Sequence, residues 1–289
     1  MGFWLELAAS GLITGGIYDV VAIGLNLQYG LMRIMNISHG EFLMLGAYLT
    51  WLAHTVLQIN PLVFLPVVAL ALFALGLLVY RLCFRPIART APSVEAIESR
   101  SLLVGFGLMF LVQNLAYLAF GADLRGYSFL DGPVEIAGAR FPENRLVVFG
   151  FAVAASLALL AVLRFTLFGK AVRAMMQSPT GAQLVGIDTS LLHPVVFGAG
   201  ISLAGIAGGL LSMVYEISPS MGEPYTVTAL IVITLGGLGS AAGCLAGGLL
   251  LGLIEAFGMH FTSPSLKMLL SYGVFMAVLL ARPRGLFAR

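Results

Sequence analysis

The densest group of residues able to do chemistry is Asn36-Ile37-Ser38-His39-Gly40-Glu41, preceded by Arg33 and set in otherwise apolar sequence. A carboxylate, an imidazole, an amide and a hydroxyl within six residues offer donors and acceptors of several kinds. Zinc hydrolysis is the first chemistry to set against them. It needs H-E-x-x-H, but the second His is missing, and His54, His193 and His260 lie in other segments. Serine hydrolysis needs a nucleophile in G-x-S-x-G beside a base, and no Ser has that context. Neither a catalytic nor a metal site is expected. Ser38 followed three residues later by Glu41 predicts a capping box at the favourable end of a helix dipole. That accounts for Ser38 and Glu41 and leaves Asn36 and His39 without a structural task. Asp19 and Asn26 are seven residues apart, on one face of a helix. Gln113, Asn114 and Glu255 also interrupt apolar runs. A charge at membrane depth costs roughly 2.5–3.5 kcal/mol on insertion scales, so each polar group should meet a cavity or a partner. For each, contact with a solute in a pathway and a bond between helices stand as alternatives.

The elements that position these residues are membrane helices. Of the 289 residues 60% are hydrophobic and 10% charged, with a formal net charge of +2. Soluble domains average ~45–50% apolar and ~25% charged residues. A soluble globule cannot hide that much apolar surface, and no basic footprint for nucleic acid exists, so lipid is the partner. The two cysteines, Cys83 and Cys244, lie in or beside apolar stretches and offer no disulfide framework. The first 32 residues hold no Lys or Arg, so the first apolar stretch reads as a retained helix rather than a signal peptide.

Crossing ~30 Å of hydrocarbon takes about 20 helical residues. Spans are expected at 6–28, on either side of Asn60-Pro61 between Glu41 and Arg81, and at 101–122, 146–163 and 189–215. A short or broken helix at 225–237 is expected next, then a glycine turn, a full helix at 241–259 and a last span at 266–281. The fold class is therefore all-α, a single transmembrane bundle over 1–289 with nine spans, or eight if 225–237 is re-entrant. The segments 29–40, 81–100 and 164–193 and the tail from Arg282 carry eleven of the fifteen basic residues: Arg33, Arg81, Arg85, Arg89, Arg100, Arg164, Lys170, Arg173, Arg282, Arg284 and Arg289. That side is expected to be cytoplasmic, with the N-terminus outside and the C-terminus inside. Glycines at four-residue intervals (Gly11/Gly15, Gly205/Gly209, Gly239/Gly243/Gly247, Gly248/Gly252) predict close helix packing. The cluster Gly236, Gly237 and Gly239 is a candidate hinge.

The segment 164–193 differs from the other connections. Lys170 to Gln177, with Arg173 and Ala174, is a strong helix former, Ser178-Pro179 stops it and opens a second short helix, and Gly186 ends that one. Such a helix can be a plain connector or a knob for a cytoplasmic partner. Energy input is missing from the chain itself, because Gly169-Lys170 is followed by Ala and no G-x-x-x-x-G-K-[ST] occurs. Either a separate ATPase docks here, or an ion gradient acts through residues such as Asp19, as in a secondary transporter.

The residues favour the ATPase. Gly30 through Tyr48, Gly169 to Asp188, and Leu235-Gly236-Gly237-Leu238-Gly239-Ser240 through Gly252 to Glu255 resemble, in order, the motifs of permease subunits of bacterial ABC importers for branched-chain amino acids. The wider family includes ribose-type sugar permeases. The resemblance implies an inner-membrane subunit that pairs with a second, related permease, two cytoplasmic ATPases that bind ATP and Mg, and a periplasmic solute-binding protein. It implies no cofactor in this chain and transport by alternating access. It also implies that Asn36 to Glu41 line or gate the pathway, that Ser178, Pro179 and Gly186 belong to the coupling helix, and that 121–145 helps dock the binding protein. The family commonly has a small apolar residue where Asp19 stands and often a Lys near Thr228, so the solute is either a branched-chain amino acid or a small amide or urea-like molecule. A loose recurrence of Ile37-Ser38, Gly40-Glu41 as Ile217-Ser218, Gly222-Glu223 reads as coincidence.

Overall fold

The computed structural model describes residues 2–136, 139–263, 266–282 and 285–286. Among them the chain forms α1 Gly2–Met32, α2 His39–Thr55, α3 Pro61–Val79, α4 Arg85–Thr90, α5 Val94–Phe120, α6 Glu143–Phe165, α7 Leu167–Gln177, α8 Pro179–Leu184, α9 Thr189–Leu211, α10 Gly222–Gly236, α11 Ala241–Phe261 and α12 Lys267–Ala281. Among the described residues six helices are long and apolar enough to cross a membrane: Phe3–Met32, Pro61–Thr90, Val94–Phe120, Glu143–Phe165, Thr189–Leu211 and Ala241–Phe261. The three other expected spans correspond to α2, α10 and α12, with 17, 15 and 15 residues. These fall short of the ~20 that a straight crossing requires.

Several boundaries differ from the sequence reading. No loop interrupts the chain at Arg81: a π-helical turn, Tyr80–Phe84, joins α3 to α4. Pro86 follows two residues after it, and the looser turn accommodates the ring and its missing N–H. The expected loop 121–145 contains a hairpin, β1 Pro133–Ile136 against β2 Ala139–Pro142, antiparallel. Arg284 and Arg289 lie outside the described residues.

The caps are legible in the sequence. Asn60 accepts from the Leu62 N–H at 2.9 Å and starts α3 with Pro61 in its first turn. Asp188 accepts from the Ser190 N–H at 2.8 Å, and its bonds to Ser190 hold the carboxyl below the usual range.

α1 is the centre of the bundle and packs on α11, α9, α10 and α6. The glycine stripes do what their spacing predicts. A Cβ on Gly15 would lie 2.6 Å from the Gly248 carbonyl oxygen, and one on Gly252 would overlap the Gly11 carbonyl. Backbones therefore meet directly where α1 crosses α11.

Candidate functional site

α1 ends at Met32, but α2 does not start at that end of the bundle. His39 Nε2 lies 3.0 Å from the carbonyl oxygen of Val21, eleven residues back along α1, or about 16 Å at 1.5 Å per residue. Residues 33–38 therefore climb back beside α1 without helical structure, and α2 begins inside the bundle. Arg33 turns the chain with φ of 54°, and its guanidinium lies over the Tyr29 ring, 5.4 Å from the centroid.

Irregular buried backbone is tolerated only where its polar groups find partners, and side chains supply them here. Met35 N–H donates to Ser101 Oγ at 3.0 Å. Asn36 Nδ2 donates to Gln28 Oε1 at 3.3 Å, and Ser38 Oγ donates to Asn36 Oδ1 at 2.6 Å. Gln28 Nε2 in turn donates to the Phe197 carbonyl of α9 at 3.1 Å. The His39 proton is assigned to Nε2, since the Val21 carbonyl can only accept.

The expected capping box is not formed. Ser38 makes no side-chain bond to the helix N-terminus because its hydroxyl is committed to Asn36. Glu41 is buried, and among the described residues neither of its carboxylate oxygens has a partner. Gly40 N–H donates instead to Thr226 Oγ1 of α10, at 2.8 Å. The N-termini of α2 and α10 meet here: a Cβ on Gly40 would overlap the Gly222 carbonyl. The two glycines of the weak sequence recurrence are thus in contact. Two helix N-termini starting within the bundle offer partial positive charge and free N–H groups at an interior point.

Two further groups lie along α1. Asp19 is fully buried with Ser156 of α6 and Cys244 of α11 beside it, and neither of its oxygens has a hydrogen-bond partner among the described residues. Asn26 Oδ1 accepts from the Gly239 N–H at 2.7 Å, fastening α1 to the turn between α10 and α11. Gly237 and Gly239 have φ of 90° and 85° and Gly236 touches Gly243, so these three glycines make the turn. Glu255 accepts from Tyr18 OH at 2.7 Å and from Ser271 Oγ, with Lys267 Nζ 3.5 Å away.

Gln113 and Asn114 are not brought to these groups. Asn114 is exposed on α5, and its Nδ2 donates to the Phe110 carbonyl of its own helix. The residues that sequence reasoning missed are Gln28, Tyr18, Thr226, Ser271 and Lys267. Gln28 carries the same signal as Asn26, a polar amide in an apolar helix, whereas the others become visible only through partners more than a hundred residues away or on a neighbouring helix.

At the end of the bundle that holds the glycine turn, α7 buries Gly169, Val172 and Met175 and exposes Lys170 and Arg173, while Ala174 is half-buried. Ser178 caps α8, its Oγ accepting from the Gly181 N–H at 3.1 Å, with Pro179 in the first turn and Gly186 at φ 87° after the end. Leu184 and Val185 point outward, 83% and 77% exposed. The Met176 methyl lies against both Gly30 and Gly239. A cavity of about 1070 Å³ opens there, bounded by Asn26, Leu160, Arg164, Arg173, Met176 and Ser240. Among the described residues, no group of three or more His, Cys, Asp or Glu could hold a metal ion.

Residues 7–279 match the family described as branched-chain amino acid transport system, permease component. The chain is similar to the high-affinity branched-chain amino acid transport system permease protein BraD of Pseudomonas aeruginosa, at 29% identity over 99% of this chain and 96% of the relative. It is 27% identical to the permease protein LivH of Escherichia coli, over 99% and 96% of the two chains. A more distant relative is LivM of the same organism, 25% identical over 93% of this chain and 67% of that one. No solved structure matches the chain. With a match over nearly its whole length and a mainly helical, apolar fold to fit, this chain belongs to the family of branched-chain amino acid transport permeases.

Proposed function

We propose that this chain is one permease domain, 1–289, of an ATP-driven importer, and that it moves branched-chain amino acids or a closely related polar solute by alternating access. The observation that carries the reading is the α7–α8 pair. It buries one face on the bundle and exposes Leu184 and Val185 at its tip, and Met176 touches the glycine turn. An ATPase groove that grips α8 would push on Gly237 and Gly239 through that methyl group. Those glycines would act as the hinge, and the α2–α10 junction, including Asn36, Ser38, His39, Gly40 and Glu41, would open or close around the solute.

The relatives' printed names support the substrate class and, through the pairing of LivH with LivM in one organism, a second related permease as partner. On this reading two ATPases carry ATP and Mg, and a solute-binding protein docks at residues 121–145. The chain crosses nine times in a bacterial inner membrane, with 33–38 and the 237–240 turn as interruptions, and its N-terminus is outside. The test is accumulation of L-leucine in proteoliposomes that hold the assembled complex. Replacing Ser178 to Gly186 with a flexible Gly-Ser segment should abolish ATP-driven uptake while the complex still assembles. Uptake that survives the replacement, or uptake by this chain alone under a proton gradient without ATP, would overturn the reading.

A further inference from the structure

At the end of the bundle away from α7 and α8, a cavity of about 310 Å³ lies between α1, α10, α11 and α12. That volume is at the lower end of the ~300–1,000 Å³ typical of small-molecule sites. Its floor is Glu255, only 2% exposed, in an apolar helix with no other acidic residue. A carboxylate placed there needs compensation, and three donors give it: Tyr18 OH, Ser271 Oγ and the Lys267 ammonium. The third differs from the other two. Lys267 stays 43% exposed, reaches Glu255 at 3.5 Å, and rests its ammonium 5.6 Å from the centre of the Tyr18 ring.

A primary ammonium between a carboxylate and an aromatic face is the arrangement that recognises amines. Glu216, itself exposed, also borders the cavity, so the described lining carries two acids against one base. The remaining wall includes Val227, Ile231 and Met268, which offer an apolar surface to a branched side chain. Acid, mobile base and apolar wall are the three parts needed to hold an α-amino acid by its ammonium, carboxylate and side chain.

We propose that the Glu255–Lys267 cavity is a binding subsite for a small zwitterion, whose ammonium takes the place of Lys267 on Glu255 while the displaced Lys267 amine holds its carboxylate. The site rests on the reading of the chain as an amino-acid permease and names residues for its substrate. Lys267 acts as a resident stand-in, so the buried Glu255 is never left without a cation during exchange.

The test uses the assembled complex with a single cysteine at Thr228→Cys, which borders the cavity, after replacement of Cys83 and Cys244. L-Leucine should slow maleimide labelling by about tenfold at ten times its dissociation constant. Isoamylamine, which lacks the carboxylate, and 4-methylpentanoate, which lacks the amine, should each protect far less. Glu255→Gln should abolish protection by leucine. Lys267→Met should erase the preference for leucine over isoamylamine, with the unprotected labelling rate showing that the cavity persists in both variants. Equal protection by all three compounds, no protection by any, or full protection retained in Glu255→Gln would overturn the proposal. Uptake of leucine by the unmodified complex separates this outcome from failure of the permease reading: ATP-driven accumulation without protection sinks the subsite alone.

Discussion

Asp19 is the side chain most at odds with its surroundings. A carboxylate fully buried between α1, α6 and α11, with only the Ser156 hydroxyl beside it and no hydrogen bond formed, carries a desolvation cost that its surroundings offset little. Groups kept at such a cost tend to serve function rather than stability. Asp19→Asn keeps the shape and removes the charge, so it should stabilise the bundle by about 1–3 kcal/mol while lowering uptake or changing which solutes are carried. Thermal unfolding in detergent and uptake with a panel of amino acids and amides measure the two effects. A variant that neither gains stability nor alters transport would make Asp19 a passive occupant. Asp19, Asn26 and Glu255 were legible in the sequence because any polar residue in a long apolar run must be accommodated. What each one touches was not legible. Asn26 holds the amide of Gly239 and Glu255 holds Tyr18, across 213 and 237 residues of chain that no local pattern records.

Helix starts and stops marked by Asn60-Pro61, Ser178-Pro179 and Gly186 are read correctly because cap chemistry is local. The climb of 33–38 was not legible as such. It holds no proline and no glycine, and an extended run and a helical linker look alike there. Tertiary bonds decide: Ser101, Gln28 and Val21 take up the polar groups of Met35, Asn36 and His39, and Ser38 is drawn away from capping. The consequence is that α2 starts where α10 starts, with Gly40 against Gly222. Gly40→Val would drive a branched side chain into the Gly222 carbonyl, an overpacking that costs roughly 1–3 kcal/mol or more. The expected result is loss of the monodisperse peak in detergent chromatography. Gly107→Ala in α5, where an added Cβ meets nothing within 4 Å, should leave that peak unchanged. Equal behaviour of the two variants would mean that the α2–α10 contact does not hold the fold together.

Taken whole, the molecule has two ends, and contacts far apart in sequence identify them. Met176 of α7 touches Gly239, so the turn before α11 lies at the end that carries the basic segment 164–193. The 21 residues of α11 then rise about 31 Å, which puts Thr262 at the opposite end, where Trp4 stacks near Phe257 and Phe261. Nine crossings follow if α10 carries the chain from that end to the Gly239 turn; eight crossings would need Thr262 and Gln183 on one face, against the Met176–Gly239 contact. Single cysteines at exposed positions separate the two. In intact cells a membrane-impermeant maleimide should label Ser128→Cys and Thr262→Cys, and should reach Ser93→Cys and Gln183→Cys only after the membrane is opened. Labelling of Thr262→Cys together with Gln183→Cys would leave eight crossings. It would also overturn the placement of the Glu255 cavity at the end of the bundle away from α7 and α8.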